Sequence, residues 1–136
     1  MNYASADLKS ALRAATGGKG VNVVYDPIGG TQGEAALRGM DWAGRYLVIG
    51  FAAGDMPKLP LNMILLRSYD VLGVYWGAWV ERNPDAHRDN MRQILSWVAG
   101  GQLQPHVQAV YPLEQAAEAL KAIATRQVMG KINLRP

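Results

Sequence analysis

Two glycine-rich loops are the parts of the sequence whose composition best fits ligand binding. Asp26-Pro27-Ile28-Gly29-Gly30 follows the apolar run Val21–Tyr25, and Gly50-Phe51-Ala52-Ala53-Gly54 follows the apolar run Tyr46–Ile49. Both loops contain few catalytic side chains and let a ligand lie close to the backbone, which suits a flat, bulky cofactor better than a nucleophilic site. The alternative is that their Gly and Pro residues only mark turns. For each loop taken alone, the two interpretations have about equal weight.

A second candidate is Trp76-Gly77-Ala78-Trp79, whose two indoles follow the apolar run Asp70–Tyr75. These rings either form the wall of a site for a ring-shaped ligand or belong to the core, and the core interpretation is favoured about two to one. Metal chemistry is disfavoured because the chain has no Cys and only two His, His87 and His106. Neither a thiolate zinc site nor a histidine cluster is therefore expected.

The elements that would position the two loops form a β-α-β unit. Val21–Tyr25 and Tyr46–Ile49 are short, rich in Val and Ile and bounded by glycines, as expected for parallel strands buried on both faces. Between them, Thr31 and Glu34 have the spacing of a capping box, and the helix that they begin is predicted to end at Gly44. Ligands of an open parallel sheet bind at the carboxyl ends of its strands, which is where both loops lie.

Helices and strands alternate along the chain, which predicts an α/β fold. Further helices are predicted over Asp7–Ala15, over Met63–Arg67 with Asn62 as its cap, from Asn83 and Pro84 to Gly100, and from Leu113 to Ala124. Further strands are predicted at Asp70–Tyr75, Gln108–Tyr111 and Val128–Leu134. His87 and Arg88 lie away from the apolar stripe of their helix, so we expect both to be solvated.

Length and charge restrict the class of protein. The chain of 136 residues is long enough for about one domain of ordinary size. Its net charge of +3 comes from Lys and Arg scattered among acids, so nucleic-acid binding is not expected. The longest apolar run, Met63–Leu66, is too short to span a membrane, and the residues after Met1 do not resemble a signal peptide. A cytoplasmic location, with no membrane partner, fits these features.

Several blocks of sequence together resemble a known family. They are ATGGKGVNVVYDPIGG, GRYLVIGFAAG, LRSYDVLGVYWG, YPLEQAAEAL and GKINL, in family order between Asn2 and Leu134. This order is similar to the C-terminal part of the zinc-independent quinone oxidoreductases of the medium-chain dehydrogenase/reductase superfamily. The resemblance implies a partial Rossmann domain, a doubly wound parallel sheet that retains its second half, with a C-terminal strand-helix-strand extension. It divides the chain into residues 1–106, from the dinucleotide-binding domain, and 107–136, which in relatives returns to a GroES-like catalytic domain.

The resemblance also implies the cofactor NADPH and hydride transfer from its nicotinamide to a quinone or an enone. Tyr3 matches a tyrosine beside the adenosine 2′-phosphate, and Pro27 matches a cofactor-lining position. The positions that match the walls of the nicotinamide site are Ile49, Gly50, Phe51, Tyr75 and Trp76. Lys131, in the closing block, is a further candidate contact. No residue is assigned as a general acid, so the catalytic residues stay unknown.

The sequence departs from the family because it contains no G-x-G-x-x-G, the turn that brings the backbone close to a pyrophosphate. The resemblance therefore implies a truncated chain, whose fingerprint, basic 2′-phosphate contacts and substrate pocket would lie before Met1. We expect this chain alone to bind NADPH weakly or not at all, and to be inactive.

Truncation would leave the strand Val21–Tyr25 without a neighbour, and an open strand edge pairs readily with another chain. Relatives commonly dimerise through the strand that matches Asp70–Tyr75. We therefore expect a homo-oligomer, such as a dimer, formed through these two edges. The alternative function is a non-catalytic α/β module that associates through the same edges. An unrelated Rossmann-like transferase is disfavoured because no acidic residue is placed to hold a ribose after a first strand.

Overall fold

The computed structural model describes residues 7–136 of the chain. The chain forms two compact units, one ending at Arg82 and the other comprising Asn83–Pro136. The two domains inferred from the resemblance, residues 1–106 and 107–136, refer to an intact parent protein, and that division stays a prediction.

The first unit is a parallel sheet with helices between its strands. Its elements are α1 (Leu8–Ala15), β1 (Val21–Asp26), α2 (Gly30–Arg38), β2 (Met40–Val48), α3 (Leu61–Arg67), β3 (Asp70–Gly73) and α4 (Trp76–Arg82). The strands lie in the order β1-β2-β3, and both neighbouring pairs are parallel. The predicted α/β class and the parallel pairing of the two central runs are confirmed.

Helix α1 begins as predicted after Asp7. The carboxylate of Asp7 accepts a hydrogen bond from the backbone N–H of Ser10 at 2.9 Å. Hydrogen bonding to the Ser10 side chain, together with this backbone bond, lowers the pKa of Asp7 below its usual value. The helix ends at Ala15, and Gly17 and Gly18 then turn the chain toward β1 with positive φ angles. Both predicted ends of this helix are confirmed.

The predicted boundaries of α2 are wrong. The helix begins at Gly30 after Gly29, without a capping side chain, so Thr31 and Glu34 do not form a capping box. Glu34 instead accepts a hydrogen bond through Oε1 from the backbone N–H of Lys58 at 2.9 Å, which fixes the loop after β2. The helix ends at Arg38 rather than at Gly44.

The residues before Gly44 belong to an irregular start of β2. Val21 of β1 pairs with Met40, whereas Val23 pairs with Arg45, so the register shifts between these two points. Ala43 within the irregularity has a φ of 54°. Met40 is buried in the sheet, although its spacing from the residues before it fits a helical stripe.

Two other predicted boundaries are corrected by the structure. Asn62 lies inside α3, which follows Pro60, and does not cap it. Strand β3 ends at Gly73 rather than at Tyr75, because Trp76 begins the short helix α4.

The core of the first unit joins α2 to one face of the sheet. Its buried residues are Val24, Leu37, Met40, Tyr46 and Tyr69. The Tyr69 hydroxyl donates to the carbonyl oxygen of Met40 at 3.1 Å, and burial raises the pKa of Tyr69. Val23, Tyr25 and Leu72 on the strands are exposed. The prediction that the strands are buried on both faces is therefore not met within the described residues.

The second unit contains two parallel strands and two α-helices. Its elements are α5 (Pro84–Ala99), β4 (Val107–Pro112), a 3₁₀ turn (Leu113–Gln115), α6 (Ala116–Ala124) and β5 (Lys131–Arg135), and β4 pairs with β5. Helix α5 begins at Pro84 and ends before Gly100 as predicted, whereas β5 begins at Lys131 rather than Val128.

Two side chains near the start of α5 differ in their surroundings. Arg88 is exposed, as predicted, and its guanidinium pairs with the carboxylate of Asp85. His87 is half-buried rather than fully solvated. Among the helices of residues 7–136, none has the length and apolar character needed to cross a membrane.

Replacement of Leu37 tests the position of the core. Leu37 is 0% exposed, and we expect Leu37→Ala to lower the free energy of unfolding by about 2–5 kcal/mol because it leaves a cavity between α2 and the sheet. The matched control is Leu65→Ala in α3, where the leucine is 79% exposed and the change should stay within about 0.5 kcal/mol. Urea denaturation followed by circular dichroism measures both, and equal losses would contradict this core.

Candidate functional site

The carboxyl ends of all three strands of the first unit lie at the same edge of the sheet, because the strands are parallel. The loop after β1, the loop after β2 and the segment after β3 therefore meet there. This edge brings the two glycine-rich loops together, as the sequence predicted.

Backbone hydrogen bonds continue past the strands and join the first two loops. The N–H groups of Ile49, Ala52 and Ala53 donate to the carbonyl oxygens of Asp26, Pro27 and Ile28 at 3.0, 3.0 and 2.9 Å, respectively. In addition, the Gly30 N–H donates to the Asp55 carbonyl oxygen at 2.9 Å. The two loops thus form one continuous rim rather than separate turns.

A groove of about 380 Å³ lies on this rim, and we call it the strand-end groove. Four of the predicted site residues line it: Ile49, Gly50, Phe51 and Tyr75. Sequence reasoning missed its other lining residues, Val48, Gly73 and Val74. Gly73 could have indicated this groove from the sequence, because a glycine inside an apolar strand often marks a close approach by a ligand or another backbone.

A second groove of about 450 Å³ shares Gly73, Val74 and Tyr75 with the first and continues along α4; we call it the indole groove. Trp76 and Trp79 stack in it with ring centroids 5.0 Å apart and an angle of 14° between their planes. They are 50% and 37% exposed, respectively, so the favoured core interpretation of these indoles is wrong. Sequence reasoning missed Ala78 and Arg82 as lining residues, whereas Trp79 was one of the two indoles considered as the wall of a site.

The remaining predicted site residues lie elsewhere. Pro27 is in the rim, where its carbonyl oxygen would be 3.5 Å from a Cβ placed on Gly50, but it does not line either groove. Tyr3 lies outside the described residues. Lys131 begins β5 in the second unit, where its backbone N–H donates to the His106 carbonyl oxygen at 2.9 Å, and its role toward a cofactor stays a prediction.

A buried carboxylate supports the rim from below. Asp26, at the end of β1, accepts hydrogen bonds through Oδ1 from the N–H groups of Ile28 and Gly29, both at 2.9 Å. Its Oδ2 accepts a hydrogen bond from the hydroxyl of Tyr46, which is 0% exposed. Burial, together with this hydrogen bond, raises the pKa of Tyr46 far above its usual value. No local sequence pattern indicates this contact, because the two partners are on different strands.

Gly33 leaves the space that the Asp26–Tyr46 contact occupies. A Cβ on Gly33 would lie 2.5 Å from both Asp26 Oδ2 and the Tyr46 hydroxyl oxygen. This glycine of α2 therefore lets the helix approach the sheet over a polar contact.

The lining of the two grooves is chemically simple. Among the described residues that line them, Arg82 is the one charged side chain. A Cβ on Gly73 would meet no atom of residues 7–136 within 4 Å, so among these residues the groove is open above that backbone. Apolar walls, an open glycine backbone and one phenol can hold a flat ring, and they offer no carboxylate or imidazole as an acid or base.

These features define an α/β fold with an open groove at the carboxyl edge of a parallel sheet. Residues 1–134 match the family model described as zinc-binding dehydrogenase, and the chain belongs to this family. The resemblance to the quinone oxidoreductases of the medium-chain dehydrogenase/reductase superfamily is confirmed.

Relatives support the assignment. The chain is 34% identical over 134 residues to quinone oxidoreductase-like protein 2 of Bos taurus, covering 98% of this chain and 38% of the relative. A solved NAD-dependent alcohol dehydrogenase is 30% identical, with a TM-score of 0.78, over 99% of this chain and 37% of its own. The Escherichia coli quinone oxidoreductase, solved in complex with NADPH, is 27% identical, with a TM-score of 0.79, over 100% of this chain and 42% of its own. The chain thus spans about two fifths of the length of these proteins.

The described residues do not fit the zinc ion that the family description mentions. The whole chain has no Cys and two His, and residues 7–136 contain no group of three or more His, Cys, Asp or Glu that could hold a metal. We therefore derive no zinc-dependent step, and zinc-independence stays a prediction.

The phenol of Tyr46 should control stability at high pH. Because its pKa is raised, the neutral phenol stabilises the folded state fully below about pH 10, the usual pKa of tyrosine, and this stabilisation is lost as the pH rises further. Between about pH 10 and 11, urea denaturation should show the wild-type stability falling more steeply than that of Tyr46→Phe, by up to ~1.4 kcal/mol per pH unit.

The matched control is Tyr25→Phe, which removes an exposed phenol from β1. This variant should keep the steep wild-type decline above about pH 10. If Tyr46→Phe and Tyr25→Phe gave the same alkaline slope, the account of the buried phenol would be wrong.

Proposed function

We propose that this chain forms the nicotinamide-facing half of the NADPH site of an oxidoreductase that reduces quinones or enones. The observation that carries the proposal is the strand-end groove, in which Ile49, Gly50, Phe51 and Tyr75 lie together. These four residues were assigned to the walls of the nicotinamide site from the family resemblance alone. Their convergence on one groove supports that assignment.

The groove fits the flat half of the cofactor. The open backbone at Gly73 lets a ring approach closely, and the rings of Phe51 and Tyr75 supply apolar walls. The NADPH complex of the Escherichia coli quinone oxidoreductase shows that a relative of this fold takes this cofactor. The bound nicotinamide would supply the hydride, and the residues of this chain would orient the ring and exclude water from it.

This chain alone should hold the complete dinucleotide poorly. It has no G-x-G-x-x-G turn to approach the pyrophosphate, and Arg82 is the one cation lining the described grooves. We therefore propose that the isolated chain binds NADPH weakly and does not reduce quinones. A cytoplasmic location and the partners named from the resemblance, a quinone or an enone, belong to the same proposal.

The test uses each half of the cofactor separately. Reduced nicotinamide mononucleotide, titrated into the isotope-labelled chain, should shift the amide resonances of Ile49, Gly50, Phe51 and Tyr75, whereas adenosine 2′,5′-bisphosphate should leave them unchanged. Gly73→Leu should weaken the binding of the mononucleotide at least tenfold, because its side chain fills the groove.

The matched control is Gly77→Leu in α4, a residue that lines neither groove and whose added Cβ would be 3.5 Å from the nearest atom, on Tyr75. It should change the affinity less than about threefold. The proposal fails if the mononucleotide leaves the amides of the strand-end groove unshifted, or if both leucine variants weaken binding equally.

The second candidate function, a non-catalytic association module, is favoured by a different observation. In the three-stranded sheet of the first unit, as the described residues form it, β1 and β3 are the two edge strands, and Val71 and Leu72 on β3 are exposed. Unpaired edges with apolar side chains promote pairing with a second chain. A homo-oligomer formed through these edges, such as a dimer, is compatible with both candidate functions.

Sedimentation equilibrium at micromolar concentration tests the association. We expect the wild-type chain to be an oligomer, and Leu72→Lys to raise its dissociation constant at least tenfold because it places a charge at the edge of β3. Leu61→Lys, at an exposed position of α3, is the matched control and should leave the dissociation constant unchanged. A monodisperse wild-type monomer would refute association through the edges.

A further inference from the structure

Asp26 is the residue on which both loops of the rim converge. Its backbone carbonyl oxygen accepts hydrogen bonds from the N–H groups of Ile49 and Gly50 at 3.0 and 3.3 Å. Its carboxylate oxygen Oδ1 accepts from the N–H groups of Ile28 and Gly29, both at 2.9 Å. One buried residue thus fixes the backbone of the loop after β1 and the beginning of the loop after β2.

The two loops are packed so closely that a change in one must move the other. Gly29 has a φ of 71°, and a Cβ there would lie 2.9 Å from Cδ1 of Phe51. The next residues are joined by the hydrogen bonds from Ala52 and Ala53 to the carbonyl oxygens of the first loop. The position of the Phe51 ring therefore depends on the conformation that Asp26 gives to Gly29.

The two oxygens of the carboxylate have separate tasks. Oδ1 holds the N–H groups of the loop, whereas Oδ2 accepts from the Tyr46 hydroxyl in the core. Loss of the Tyr46 hydroxyl would break the contact with the core but leave both loop hydrogen bonds in place. Loss of the carboxylate would break both, so the two functions can be separated by substitution.

We propose that Asp26 is a positioning residue of the strand-end groove. Its Oδ1 and its carbonyl oxygen hold the rim so that Gly50 and Phe51 line this groove. The assignment of the ligand rests on the proposed function, whereas the coupling between the loops does not. Asp26 contacts the rim and not the ring, and it acts through the backbone of these loops.

The experiment compares three variants of the full chain: Asp26→Ala, Tyr46→Phe and Asp26→Asn. The first two break the Asp26–Tyr46 contact, and both should lower the urea midpoint, but only Asp26→Ala also frees the N–H groups of Ile28 and Gly29. Asp26→Asn keeps an acceptor oxygen for these groups, and its amide can donate to the Tyr46 oxygen. Sucrose is added throughout, because it favours the folded state of weakened variants.

Two measurements are made on each variant. The first is the affinity for reduced nicotinamide mononucleotide, from the amide shifts of the groove; it should fall at least tenfold in Asp26→Ala and less than about threefold in Tyr46→Phe and Asp26→Asn. The second is amide hydrogen exchange without ligand, which should become at least tenfold faster at Ala52 and Ala53 in Asp26→Ala than in Tyr46→Phe.

The outcomes separate the two proposals. If the wild-type chain does not bind the mononucleotide, the proposed function fails, and the exchange rates alone decide whether Asp26 couples the loops. If Asp26→Ala and Tyr46→Phe change affinity and exchange equally, Asp26 has only a structural role and the inference is wrong. A tenfold loss of affinity in Asp26→Asn would also overturn it, because that variant keeps the acceptor.

Discussion

The first unit depends on the parallel hydrogen bonding between β1 and β2, which does not stop where the strands end. The register Asp26↔Val48 closes the ladder, and the bonds from Ile49, Ala52 and Ala53 to the first loop extend it. Parallel pairing brings two carboxyl ends to one edge, and the extension turns two loops into one rim. The shape of the strand-end groove is therefore set by sheet register and not by the loops alone.

The same residues stabilise the core and shape the groove. Tyr46 is a fully buried member of the core, yet its hydroxyl donates to the carboxylate that fixes the rim. Gly33 permits this contact because a side chain there would collide with both partners. A polar contact this deep costs desolvation, which its hydrogen bonds offset, so the site and the core are specified together.

Local patterns predicted those parts of the fold that local chemistry determines. Strand β1 was predicted from its run of β-branched residues. The two ends of α5 were predicted from Pro84 and Gly100, and the parallel sheet was predicted from the alternation of strands with helices. The predicted end of α2 failed because Met40 fits a helical period while tertiary packing buries it in an irregular strand. The capping box failed because the helix already begins at Gly30, so Thr31 lies inside its first turn, and Glu34 accepts a hydrogen bond from the backbone N–H of Lys58.

The candidate site shows the same division between local and long-range information. The resemblance supplied four residues of the strand-end groove, since blocks of sequence keep their order in a family. Periodicity did not predict Gly73 as a lining residue, because a glycine looks like an interruption in a strand. It did not predict the Asp26–Tyr46 contact either, because this contact joins residues twenty positions apart. Such contacts become visible only when the register of β1 and β2 is known.

The lining of the grooves limits what this chain can contribute to the proposed reaction. Reduction of a quinone to a hydroquinone consumes a hydride and a proton, and orientation of the donor ring needs only shape and close approach. The described lining residues supply that shape through Gly50, Phe51, Gly73 and Tyr75, whereas Arg82, their one charged member, is a poor proton donor near neutral pH. In the proposed reaction the proton therefore comes from the hydroxyl of Tyr75, the one phenol of the described lining, from solvent, or from a group outside these grooves. The contribution of this chain to the hydride transfer itself is then positional, which agrees with a lining of backbone and aromatic rings.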